Sequence, residues 1–91
     1  MSTQAVACPK GEWTQITTTS KDGAIVLRSG GVVLTEQATL PTLEPSELPW
    51  AASMVNNGDS KRYCNIEATD FIYAYGVDDS ELDVTPVGGV L

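Results

Sequence analysis

Histidine is missing from the chain altogether. Without an imidazole there is no Ser-His-Asp or Cys-His nucleophile and no side chain that ordinarily titrates near neutrality. A zinc site would have to be completed by carboxylates. Cysteine is nearly as scarce: Cys8 and Cys64 permit one disulfide and no C-x-x-C spacing. The start, "MSTQAVACPKGEW", has neither a basic n-region nor an apolar h-region, so no signal peptide is expected. The corresponding expectation is two reduced thiols in a chain folded in a cytoplasm, with Cys64 as a small core hydrophobe.

Basic residues are also few, five against twelve acids, at a sequence pI near 4.1. Phosphate backbones reward clustered Lys and Arg, so nucleic acid is not an expected partner, and like charge disfavours anionic membranes. No apolar run approaches the roughly 20 residues of a membrane-spanning helix. Gly30-Gly31 lacks the lysine and helix of a phosphate loop, and "DDSELD" at 78–83 lacks the calcium-loop register. Asp78, Asp79, Glu81 and Asp83 are close enough for paired-carboxylate chemistry. They fall on a turn and the outward face of a terminal strand, where nothing would raise a pKa. The expectation is a protein that is not an enzyme, with no metal and no cofactor.

What is present suits a small globule. The apolar fraction of 42% is too high for a disordered chain, and 91 residues make one domain that buries only about two-thirds of its unfolded surface. The charge is lopsided. Residues 1–46 carry four acids against three bases, whereas residues 47–91 carry eight against Lys61 and Arg62.

Residues 1–12 show little periodicity and read as an N-terminal arm or extended lead-in. From Trp13 onward the signals are β. "WTQITTTS" alternates and is rich in β-branched residues. Asp22-Gly23 suits a turn with positive φ. "AIVLRSGGVVLTE" reads as two strands around Ser29-Gly30-Gly31 in a hairpin. Ala51 to Val55 is expected to make one helical turn before Asn57-Gly58. "KRYCNIEA" would send Cys64, Ile66 and Ala68 inward. "DFIYAYG", with Phe71, Tyr73 and Tyr75 on one face and Ile72 and Ala74 on the other, should be central or covered by a neighbour. "ELDVTP" sends Leu82 and Val84 inward and ends at Pro86, with 87–91 as a C-terminal tail. Strands of five to seven residues about ten apart, with no amphipathic helix, predict an all-β fold. The fold class is a small antiparallel sandwich or barrel, jelly-roll or immunoglobulin-like, over residues 13–86.

One stretch resists this scheme. "TLPTLEPSELPW" at 39–50 holds Pro41, Pro45 and Pro49, which bar a helix interior or a central strand. Residues 39–58 are therefore a long proline-rich loop. Yet Leu40, Leu43, Leu48 and Trp50 are too apolar for an idle linker. Together with Trp13, Tyr63, Phe71, Tyr73 and Tyr75, they exceed what so small a core readily hides, and contiguous apolar surface marks interfaces. Leu40, Pro41, Leu43, Pro45, Leu48, Pro49, Trp50, Met54, Tyr73 and Tyr75 are thus the candidate partner-contact residues.

"EWTQITTTSKDGAIVLRSGGVVLT", the proline-rich middle ending in Trp50, and "FIYAYGVDDSELDVTP" resemble small β-rich structural proteins of tailed bacteriophages. The likeness covers roughly residues 13–86 and carries no catalytic residues. It implies a capsid decoration or cement protein, made in the host cytoplasm and sitting on the virion exterior. Its expected partners are the major capsid protein and further copies of itself, as dimer or trimer, with no nucleic acid and no membrane. The alternative is a head-fibre or tail module that binds a host receptor or glycan, with Trp50, Tyr63, Tyr73 and Tyr75 stacking on sugar rings.

Overall fold

The computed structural model of the chain describes residues 3–42 and 52–91. Eight strands form there: β1 (Gln4–Cys8), β2 (Trp13–Gln15), β3 (Gly23–Ser29), β4 (Val32–Gln37), β5 (Ala52–Met54), β6 (Ser60–Tyr63), β7 (Phe71–Gly76) and β8 (Ser80–Pro86). They build two antiparallel four-stranded sheets, ordered β1-β8-β3-β6 and β2-β7-β4-β5. The fold is an all-β sandwich, as its alternating patterns require.

Period-two alternation explains the core. In the first sheet Cys8, Ile25, Leu27, Leu82 and Val84 point inward; in the second Val32, Leu34, Met54, Ile72 and Ala74 meet them, with Ile16 and Ile66 closing the ends. Register locks these faces together, setting Ile25 opposite Val84 and Leu34 opposite Ala74. A slip of one residue would turn every one of these side chains outward.

Successive strands mostly belong to different sheets, so the Ser29-Gly30-Gly31 turn is not a hairpin. It carries the chain from β3, paired with β8 and β6, across to β4, paired with β7 and β5. The turn at 77–79 makes the reverse crossing. Ser80 joins the two: its Oγ accepts the Gly31 N–H (2.9 Å), and its proton serves the carbonyls of Gly31 (2.9 Å) and Asp78 (2.7 Å). Gly30, at φ 82°, leaves the space that Ser80 occupies.

Several expectations are corrected. Residues 1–12 are not a free arm, because β1 pairs along its full length with β8 and buries Cys8. Its start is tied down by the Thr3 and Thr85 hydroxyls (2.7 Å) and by Gln4 Nε2 donating to the Gly89 carbonyl (3.3 Å). Residues 87–91 are not a tail: the Leu91 oxygen accepts N–H groups from Thr18, Thr19 and Ser20 at 2.6–2.8 Å. The expected helical turn is instead β5, recruited by backbone pairing to β4. β6 stops at Tyr63, and Asn65 at φ 53° breaks the alternation. Tyr63 and Ile66 therefore face the core, while Cys64 and Ala68 are exposed.

Candidate functional site

The outer face of the second sheet collects Trp13, Phe71, Tyr73 and Tyr75. Alternation along β7 sends Ile72 and Ala74 inward and Phe71, Tyr73 and Tyr75 outward. Register then sets Trp13 and Val33 on either side of Tyr75, and Gln15 and Thr35 on either side of Tyr73. The Trp13 and Tyr75 rings meet edge-on, 5.2 Å apart at 62°, and Phe71 meets Tyr73 at 6.4 Å and 85°. Both geometries are favourable for ring quadrupoles. The Lys21 ammonium lies over Phe71, 5.1 Å from its centroid, and donates to the Asp70 carbonyl at 2.7 Å. Trp13, Val33, Phe71 and Tyr75 are half-buried, whereas Tyr73 and Thr35 are buried although they face away from the core.

The candidate contact residues fare differently. Leu40 is 57% exposed, so it is a true surface hydrophobe, while Pro41 is buried. Leu43, Pro45, Leu48, Pro49 and Trp50 lie outside the described residues. Met54 is 2% exposed because β5 turns it between the sheets, so it is a core residue and not a contact. Tyr73 is likewise enclosed, which leaves Tyr75 as the candidate from β7 that reaches the surface. Phe71 joins it from the face that alternation in β7 already set apart, while Trp13 and Val33 are brought in by register. Val33 sits in a run of apolar residues whose faces could not be told apart before the register was known. Further exposed apolar residues sit at the sandwich ends. Val55 and Val77 flank Gly31, and Val87 and Val90 follow β8.

The carboxylates are mostly tied into the fold. Asp79 Oδ1 accepts the Lys10 N–H (3.0 Å), and Asp83 pairs with Arg28 (3.3 Å). Asp59 Oδ2 accepts the N–H groups of Val55 and Asn56, and Asp22 Oδ1 that of Asn65. Glu36 differs: burial, and then hydrogen bonding and repulsion from Asp70, hold its carboxyl above the usual range. Among the described residues no group of three His, Cys, Asp or Glu side chains is placed to hold a metal ion.

The two thiols are in opposite settings. Cys8 is enclosed between the sheets, and burial pushes its pKa up to about 11 against the smaller opposing effect of the Thr14 hydroxyl. Cys64 is exposed, beside a narrow cleft of about 180 Å³ between the sheets whose floor is Ile25, Leu34, Ile66 and Ile72. Neither thiol is in a disulfide.

Comparison with known proteins gives no family: no family model, no curated protein and no solved structure matches the chain.

Proposed function

We propose that the chain is a non-enzymatic structural module that works through protein–protein contact, in the role of a decoration or cement protein bridging major capsid subunits on the outside of a phage shell. The observation that supports it is the outer face of the second sheet, where Trp13, Val33, Phe71 and Tyr75 stand half-buried side by side on paired strands. Rigid, amphipathic aromatics on a sheet face give large contact area at little conformational cost, the composition of interface cores. The resemblance of residues 13–86 to small phage structural proteins supplies the biological setting.

The experiment is gene deletion followed by heating of purified particles. Capsids lacking the chain should rupture at lower temperature, and added purified chain should restore them. Particles of unchanged robustness, or intact particles in which the chain cannot be found by cryo-electron microscopy, would defeat the reading.

The glycan-binding alternative loses support from Tyr63 and Tyr73, two of its four aromatics, which are buried. Copy number separates the two roles. A cement protein is present in hundreds per virion, a fibre in tens or fewer.

A further inference from the structure

An open sheet ends in rows of unpaired N–H and C=O groups, each a template for another strand. The sandwich has four such edges among the described residues: β1, β6, β2 and β5. Three of them are short or guarded. β6 carries the exposed Lys61 as the register partner of Ile25, and Arg62 follows it. Charged side chains on an edge, lysine above all, are a device against sheet extension. β5 is three residues long and runs into a turn whose first two N–H groups are taken by Asp59. β2 is three residues long and follows Glu12.

β1 has none of these protections. Gln4–Cys8 reads "QAVAC", with no charge, proline or glycine, and its five consecutive pairs with β8 contain no bulge. Among the described residues no strand pairs with its other edge. Ala5 and Ala7 are exposed on the outer face, and Gln4 and Val6 are half-buried on the inner one.

We propose that β1 pairs antiparallel with β1 of a second copy, about a twofold axis at Val6, joining two four-stranded sheets into one of eight. A twofold contact must be self-complementary. Centred on Val6, this one sets Ala5 against Ala7 and Gln4 against Cys8, with no charge opposed to a charge. The net charge of −7 does not forbid it. The acids of the neighbouring strand, Glu81 and Asp83, sit one strand back, opposite Ala7 and Ala5, and Asp83 already pairs with Arg28. Strands about 4.8 Å apart put the two copies of β8 roughly 14 Å apart, beyond the Debye length of about 8 Å at physiological salt. At about 0.01 M salt the Debye length is roughly 30 Å and the acids still repel across that distance, so raising salt to physiological strength should favour pairing.

The tethers at Thr3 and Gln4, and the burial of Cys8, hold β1 in its own sheet. The second copy must come to the edge, since the strand is not free to be donated. Five residues span only about 17 Å. Such a contact falls short of the roughly 1,000 Å² of a stable interface, so association is weak and concentration-dependent. The inference is independent of the capsid reading and uses the other sheet.

The test is sedimentation of the full chain from about 10 µM to 1 mM, at low and high salt, with amide exchange of β1. A dimer that strengthens with salt, and whose formation protects β1 amides, is expected. Ala5→Lys/Ala7→Lys opposes lysines across the axis and should weaken it about tenfold or more, the equivalent of about 1.4 kcal/mol. Ala5→Lys/Ala7→Glu sets opposite charges across the same axis and should restore it. Both sites are exposed, so the thermal midpoint of each variant reports whether the fold is intact. A chain monomeric up to 1 mM overturns the proposal, as does a dimer indifferent to the double lysine variant. A monomer that protects its β1 amides only when an alternating Val/Thr peptide is added would assign the edge to a foreign strand, and also overturns self-pairing.

Discussion

Gly23 lies against the ring of Tyr63: a Cβ at Gly23 would stand 2.5 Å from the Tyr63 hydroxyl oxygen and 2.7 Å from the Thr85 carbonyl oxygen. The two residues are register partners on β3 and β6. The ring crosses the bare backbone to reach Ser20, whose Oγ is 2.9 Å from the Tyr63 hydroxyl. Because the Ser20 hydroxyl donates to the Asp22 carbonyl (2.9 Å), Tyr63 is the donor in that pair. Glycine is needed here for room, as its backbone has no positive φ.

Gly23→Ala should therefore destabilise the chain by about 2 kcal/mol or more through overpacking against backbone that cannot yield. Tyr63→Phe keeps the ring and loses one hydrogen bond, at about 1 kcal/mol. Urea denaturation of both variants checks the order. A Gly23→Ala chain as stable as its parent would show that the ring has somewhere else to go.

Ser80→Ala tests the joint between the two sheet-crossing turns. It strips the Gly31 N–H and carbonyl of a buried partner, which costs about 1–3 kcal/mol. Gly30→Ala adds strain, since φ is 82° and the added carbon meets Ser80 Oγ, so it should cost more than a helix or strand glycine would. Equal stability of the Ser80→Ala chain and its parent in thermal melts would mean the turns hold without the hydroxyl.

These glycines mark the limit of what the residues alone disclose. Alternation in "FIYAYG" and "ELDVTP" fixes which side chains face the core, because that depends only on period two. Which strand lies beside which depends on long-range pairing, so Gly30-Gly31 reads as a hairpin when it is a crossing between sheets. β5 has weak strand propensity and owes its form to β4. β1 is short and alternates only weakly in polarity, and it becomes a strand because β8 offers it an edge. The aromatic strip was half legible: the β7 pattern turns its own three rings away from the core, but Trp13 and Val33 join them only through register.

Thiol chemistry follows from the reversed cysteine environments. In the native chain a disulfide-exchange reagent at pH 8 should titrate one thiol quickly, that of Cys64, and the second only at the rate of unfolding. Cys64→Ser should abolish the fast phase. Burial holds Cys8 protonated, and the raised pKa contributes stability that is full below the unfolded value near 9 and is lost as pH rises through about 11. Two fast thiols in the native chain would contradict the enclosed position of Cys8.

Glu36 gives a pH dependence of definite sign. A carboxyl raised in the folded state binds its proton more tightly there than when unfolded. Its stabilising contribution is complete below the unfolded pKa and lost as pH rises through the folded one. Ionisation of the group therefore works against the fold. Glu36→Gln should raise the thermal midpoint at pH 7 and give little or no gain at pH 3.5. A loss of stability at pH 7 would show that the carboxylate is held by a favourable partner.

The aromatic face can be tested without disturbing the core. Val33 is half-buried in the strip between Tyr75 and Ser53, with its side chain directed away from the sandwich interior. Val33→Lys places a charge where a docked protein would exclude water, while the free chain keeps the ammonium in solvent through its long stem. Its cost to folding should stay within about 1 kcal/mol. In binding to a partner shell, an unpaired buried charge should reduce occupancy by tenfold or more, since removing it from water without a counter-ion costs several kcal/mol. Val26→Lys is the matched control. Val26 is also half-buried and outward-facing, but on the first sheet, opposite Ser60 and Asp83. If particles take up the two variants equally, whether both normally or both poorly, the second sheet's outer face is not the docking surface, because only a contact made by that sheet can tell the two valines apart.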